Sequence, residues 1–342
     1  MPDVWRFAPG LLACVVIAMV ARWLAGLLGV AIDTAIALGI GLAVGLIPAL
    51  RPLLLPGANV AARIALRLGV ALLGARLTLG EVLAGGAQSL VAALIIVVLG
   101  LTVGWWATRR LRLERQLGGL VTAGMAICGN SAIMALAPII GARDRQTTYA
   151  VSTITVFGLL GVLLLPAIGT LIGLSDAQFG MWAGLGVNDT AQVVATGYAF
   201  SVPAGDAATI VKLTRNLAIA PVVVGAAFLA RGASERAIGD EGALARLAIV
   251  RAVPWFVVGF VAFAAARSLG LLDVTLPGGE TLAAVLSTGA AVCILIALAG
   301  VGLSADLRAT LRVGPRPFLL GLGLWLMIVL VALGLALTLG QP

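Results

Sequence analysis

Long apolar runs, separated by short polar or Gly/Pro-rich breaks, repeat along the whole chain. Eleven can be delimited, at 8–30, 34–50, 58–79, 88–108, 115–140, 146–172, 176–201, 205–230, 247–270, 281–303 and 316–340. Runs of roughly 20 residues can cross a hydrocarbon core ~30 Å thick as helices. The alternating ten-residue strands of a membrane barrel are not seen. The pattern predicts an all-α polytopic membrane protein with about eleven transmembrane segments, one integral membrane domain over 1–342 and no inserted soluble domain.

Two runs are interrupted in mid-course. Segment 115–140 carries Gly129, Asn130 and Ser131, and segment 176–201 carries Asn188, Asp189 and Thr190. Glycine loses backbone entropy in a helix, and Asn, Asp and Ser compete for backbone hydrogen bonds. The same polar residues make good N-caps, so half-helices 131–140 and 190–200 are expected to begin there. A helix broken at membrane depth leaves N–H and C=O groups that lipid cannot satisfy, so such breaks line polar cavities. Free N–H groups at a half-helix start favour anions. The bland alternative is a pair of glycine kinks with locally bonded side chains.

Segment 205–230 raises the same question. It holds Lys212, the chain's one lysine, and Arg215. Thr209, Lys212 and Asn216 fall on one helix face. Ionisable groups inside a membrane segment are costly and usually face a cavity or partner. If the helix starts near Gly205, Lys212 lies about 10 Å in at 1.5 Å per residue, so snorkelling to an interface stays open as an alternative. The sharper reading is a positive site for a small anion, with Asp189 pairing with Lys212 when the site is empty or taking up a proton.

Composition narrows the picture further. Apolar residues are 61% of the chain and charged ones 11%, too few for soluble domains. The net charge of +8 falls mostly in short loops, where it sets topology and is no nucleic-acid footprint. There is no histidine, which excludes imidazole relays and histidine metal sites. Cys14, Cys128 and Cys293 lie far apart and form no metal or disulfide pattern. No paired catalytic carboxylates appear, so an enzyme is not expected and no cofactor is implied. The first apolar run lacks a cleavage signature and is read as a retained helix.

The loop 109–115, "RRLRLER", is the strongest basic stretch and is assigned to the cytoplasm. Counting outward puts 51–63, 231–246 and 305–317 on that side, and the acidic loops 79–86 and 271–280 opposite. The N-terminus is then cytoplasmic and the C-terminus periplasmic. The basic loop 141–146, "GARDRQ", falls on the wrong side of this scheme. A short echo between 72–86 and 298–314 suggests inverted repeats, a common transporter construction.

Four motifs bring a family into view: Leu73-Gly74-Ala75-Arg76-Leu77-Thr78, Cys128-Gly129-Asn130-Ser131-Ala132-Ile133, Asp189-Thr190-Ala191-Gln192-Val193-Val194, and Lys212 with Arg215 ahead of Ala220-Pro221. They span 73–221 and resemble the YeiH-type "sulfate exporter" family of bacterial inner-membrane proteins. The resemblance implies a distant relation to bile-acid/sodium symporters and cation/proton antiporters, with a core of broken helices moving against scaffold helices. The family often has a histidine where this chain has Asn188, which leaves proton transfer to Asp189. The implied substrate is a small anion such as sulfate, sulfite or a sulfonate, with H⁺ or Na⁺ as candidate coupling ions and a homodimer as a candidate assembly. The expected binding set is Arg76, Gly129, Asn130, Ser131, Asn188, Asp189, Thr190, Gln192, Lys212 and Arg215. The competing reading is a cation/proton antiporter using Asn188 and Asp189. One difficulty is parity: with one spanning run between them, the two broken segments come out parallel, unless one is re-entrant.

Overall fold

The computed structural model describes residues 6–28, 33–217, 222, 255–304 and 315–340. The loop 231–246, residues 305–314 and the Ala220-Pro221 end of the fourth motif lie outside the described residues. Within them the chain is helical: α1 (Ala8–Leu28), α2 (Asp33–Gly45), α3 (Arg51–Val60), α4 (Leu66–Leu73), α5 (Leu79–Arg110), α6 (Arg115–Ala123), α7 (Asn130–Leu136), α8 (Asp144–Leu171), α9 (Asp176–Gly186), α10 (Thr190–Phe200), α11 (Val202–Asn216), α12 (Trp255–Ser268), α13 (Leu282–Ser304) and α14 (Pro315–Leu339). A π-helical turn, Ala61–Ala65, joins α3 to α4. Six helices among the described residues are long and apolar enough to cross a membrane, counting α3–α4 as one span, Arg51–Arg76. Many large apolar side chains, Trp23, Leu27, Leu90 and Leu94 among them, are exposed, as lipid-facing residues must be. Arg109 sits 3.8 Å over the ring of Trp105, an amphipathic pairing suited to the interfacial layer.

Local chemistry sets several boundaries. Thr78 and Glu81 form a capping box that starts α5, with the Glu81 carboxylate accepting the Thr78 N–H at 2.7 Å. Ser175 and Gln178 do the same for α9. Ser201 ends α10 and caps α11 through the Ala204 N–H.

The two interrupted segments are hairpins, not crossings. In the second, Ser201 donates to Asp176 at 2.5 Å, and the rings of Phe179 and Phe200 stack 4.0 Å apart, so α10 ends where α9 began. In the first, Gly124 packs against Ile133, and Gln146 donates to Glu114, so α8 starts beside the start of α6. Helix α8 then runs 28 residues, about 42 Å, to the base of the second hairpin. The hairpins thus enter from opposite ends. Midway along α8, Ile154 touches Gly124, and Gly161 faces Val187 at the second tip. This resolves the parity problem, because neither broken segment changes sides. It also puts 109–115 and 141–146 at the same end, which removes the misplaced basic loop.

Two apolar bodies result. One collects both hairpins with α5, α8, α11 and α14 around Phe157, Phe179 and Trp182. The other packs α1, α2, α3 and α13. Between them, Leu66, Val70 and Leu73 share a cluster with Ala191, Val194 and Tyr198. The second body is held by backbone approach at glycines: a Cβ on Gly41 would lie 2.4 Å from the Ala299 carbonyl oxygen.

Candidate functional site

The hairpin tips meet. Gly129 turns the first with φ 67°, and a Cβ there would lie 3.1 Å from Asp189 Cα. The second tip, Val187 to Asp189, is extended, and Asp189 caps α10 by accepting the Ala191 N–H at 3.0 Å. The α10 start is as the sequence predicts. The first returning helix begins at Asn130 and ends at Leu136, shorter than the expected 131–140, and neither Asn130 nor Ser131 caps it. The residue at the cap position is Gly129, which has no side chain to offer and is there for its backbone angles.

Helix α11 runs along the second hairpin, parallel to α9 and antiparallel to α10. Gly180 and Gly184 admit Ala207, Ala208 and Val211, Gly197 meets Gly205, and Asn216 reaches Thr190 at 3.4 Å. This register delivers Lys212 and Arg215 to the tips. Both are fully buried, which rules out snorkelling. Lys212 Nζ donates to the carbonyls of Ile127 (3.4 Å), Val187 (3.1 Å) and Asn188. Arg215 donates to Ala126 (3.1 Å), Leu185 (2.5 Å), Val187 (3.2 Å) and Met125 (2.5 Å). Every acceptor is a carbonyl at the C-terminal end of an inbound arm. Those carbonyls are the ones a broken helix orphans, and they carry the negative end of its dipole. The two cations satisfy both inbound arms at once and lock the tips together.

That corrects one expectation. Lys212 forms no ion pair with Asp189; its ammonium has three protons and three carbonyl partners. The positive charge is at the tips as expected, but the lysine donors are engaged by the protein itself. Arg76 is not brought to the tips either. It pairs with Asp206 at 3.7 Å, and Asp206 also accepts from Tyr198. Asp206 is six residues before Lys212 on α11, about 9 Å away along the axis. Gly129, Asn130, Asn188, Asp189, Thr190, Lys212 and Arg215 do converge. Gln192 lies one turn into α10, donates to the Thr155 carbonyl at 3.1 Å, and sets its amide oxygen against Gly158. Ser131 is exposed at the first tip.

Buried amide oxygens of Asn130, Asn188, Gln192 and Asn216 have no hydrogen-bond partner. Those of Asn130, Asn188 and Asn216 belong to residues at the tips, whereas that of Gln192 is turned against Gly158 of α8. Among the described residues there is no cluster of His, Cys, Asp and Glu fit to hold a metal. Sequence reasoning put Arg63 at the end of a cytoplasmic loop, 51–63, and passed over Arg67; that stretch is instead the first half of an apolar span, Arg51–Arg76, with both arginines exposed inside it. The signal was there: "RIALR" puts two arginines one turn apart in the middle of a hydrophobic run.

A profile described as "conserved hypothetical protein 698" matches residues 9–321. A UPF0324 membrane protein of Clostridium tetani is 31% identical over 279 residues, covering 80% of this chain and 79% of the relative. One from Bradyrhizobium diazoefficiens is 37% identical over 252 residues, 72% of this chain and 67% of the relative. One from Agrobacterium fabrum is 35% identical over 245 residues, 72% and 66%. No solved structure matches. With a profile over nearly the whole chain and relatives above 30% identity over most of their length, the protein belongs to the UPF0324 family of membrane proteins.

Proposed function

We propose that the protein is a secondary transporter of a small anion, with its site at the meeting point of the two hairpin tips. The observation that carries this reading is the tip junction itself: two re-entrant hairpins from opposite ends converge on two fully buried cations. Asp189 is the one acid at the tips among the described residues, against Lys212 and Arg215. Each tip is continuous with an arm leading to one end of the molecule, an arrangement suited to alternating access. The sulfate-exporter label of the resembling family points to sulfate, sulfite or a sulfonate. Asp189 is the proton-coupling residue of this reading, and the bacterial inner membrane is its place. The cytoplasmic end is the one with 109–115 and 141–146, since both loops are basic. The N-terminus then lies in the cytoplasm and the C-terminus in the periplasm.

The test is thermal unfolding of the detergent-purified protein with sulfate, sulfite, small sulfonates and carboxylates, set against Na⁺ and Li⁺. Stabilisation by oxyanions under a constant cation supports the reading; stabilisation by Na⁺ or Li⁺ alone overturns it. A second reading, Na⁺/H⁺ exchange, has its own observation. The unpartnered amide oxygens of Asn130, Asn188 and Asn216, with Asp189, are oxygen donors of the kind hard cations take.

A further inference from the structure

Arg63 lies in the π-helical turn at the centre of the span Arg51–Arg76. It is about 18 Å from either end of that span. Arg67 follows one turn later, and both side chains are exposed. Neither makes a hydrogen bond or ion pair with any described residue. A guanidinium that deep in a membrane span needs a polar cavity or a partner. Lys212 and Arg215, equally deep, have carbonyl partners for nearly all their protons. Arg63 has no such partner among the described residues. Leu66 and Val70, flanking Arg67 on the same helix, pack in one cluster with Ala191 and Val194 just beyond Asp189. Arg63 and Arg67 thus flank the helix face that packs beside the start of α10, next to the tip junction. A π-turn widens the helix by one residue and often marks a functional position.

We propose that Arg63, assisted by Arg67, is the direct ligand of the transported anion, gripping it from the second body while the hairpin tips hold it from the first. This rests on the anion-transport reading and names the ligand chemistry. The planar guanidinium fork matches two oxygens of one group, so the anion is an oxyanion with a carboxylate-, sulfonate- or sulfate-like face. Lys212 and Arg215 then contribute field, while Arg63 contributes hydrogen bonds. An anion shared between the two bodies is also what would couple occupancy to their relative movement.

Binding of sulfate, a small sulfonate, a carboxylate and chloride is measured by thermal unfolding on wild type, Arg63→Gln, Arg63→Lys, Arg67→Gln and, as a control remote from the tips, Arg109→Gln. Expected is an oxyanion affinity about tenfold or more weaker in Arg63→Gln, a smaller loss in Arg67→Gln, and none in Arg109→Gln. Arg63→Lys keeps the charge and loses the fork, so it should bind chloride like wild type and oxyanions less well. Wild-type oxyanion binding with unchanged affinity and selectivity in Arg63→Gln and Arg63→Lys overturns the assignment and leaves the anion reading standing. No oxyanion response in wild type removes both. If Arg63→Gln does not fold, Arg63→Lys decides by its oxyanion-to-chloride ratio.

Discussion

Gly129 and Gly141 both have positive φ, 67° and 61°, yet they sit in different surroundings. A Cβ on Gly141 meets nothing within 4 Å, whereas one on Gly129 meets the Asp189 backbone at 3.1 Å. Gly141→Ala should therefore cost only backbone strain, about 1 kcal/mol. Gly129→Ala should cost more, about 2–3 kcal/mol, because its φ, ψ of 67°, −128° is nearly glycine-only and the tips must part. Thermal unfolding of both variants checks the ranking, and ligand response should fall only in Gly129→Ala. Lys212 is a second residue-scale case. Lys212→Met removes the shared donor and orphans buried carbonyls on both tips, a loss of about 3–5 kcal/mol. Lys212→Arg should keep part of that stability; equal losses in the two variants would show that retained charge is not enough and that the geometry of the ammonium donors decides. Position and burial of this lysine were legible in the sequence as a polar stripe on an apolar helix. Its partners were not. Side-chain chemistry suggested Asp189, but the competing acceptors are main-chain carbonyls, which carry no residue-specific signal.

At the scale of elements, α10 carries the link between the two bodies. The Thr34 hydroxyl of α2 donates to the Tyr198 carbonyl at 3.1 Å, Tyr198 donates to Asp206, and Asp206 pairs with Arg76 at the end of the Arg51–Arg76 span. The Arg76 and Asp206 side chains are 28% and 15% exposed, so the pair is neither dry nor fully screened. Asp206→Asn should cost roughly 1–2 kcal/mol, between the values for exposed and buried pairs. Hydrogen exchange should then quicken along 198–206 while the tip around 187–189 stays protected. Uniform acceleration would mean that the cluster supports the whole fold and not this junction. The breaks at 129 and 188–190 were visible as Gly, Asn and Asp inside apolar runs. Re-entry was not visible, because 26 residues suffice either to cross a bilayer or to enter and return. What decides is contact between the arms, such as Phe179 on Phe200, and that pairing has no helical periodicity to reveal it.

Over the whole molecule, two re-entrant hairpins lower the count of crossings by two, which changes the side of the loops between them and of no loop after the second. Eleven crossings would put residues 112 and 145 at opposite ends. Two hairpins put them together, as the Gln146 to Glu114 hydrogen bond requires. Residue 278 lies at the other end. Ser268, shortly before it, accepts the N–H of Leu79 at 2.6 Å, and α5 carries the chain from Leu79 across to Arg110. These three positions are exposed and need not disturb packing. In a background with Cys14, Cys128 and Cys293 replaced by alanine or serine, single cysteines at Arg112, Arg145 and Gly278 can be challenged with a membrane-impermeant thiol reagent in vesicles of known orientation. Arg112→Cys and Arg145→Cys should react from the same face, and Gly278→Cys from the opposite one. Labelling of Arg145→Cys from the Gly278 face would make the first broken segment a true crossing. It would separate the hairpin bases from the geometry that brings Gly129 to Asp189, and the tip junction would have to be abandoned as the site. The same vesicles give the absolute side of the shared face; the arginines of 109–115 and 141–145 predict that it is the cytoplasmic one, where basic loops are retained.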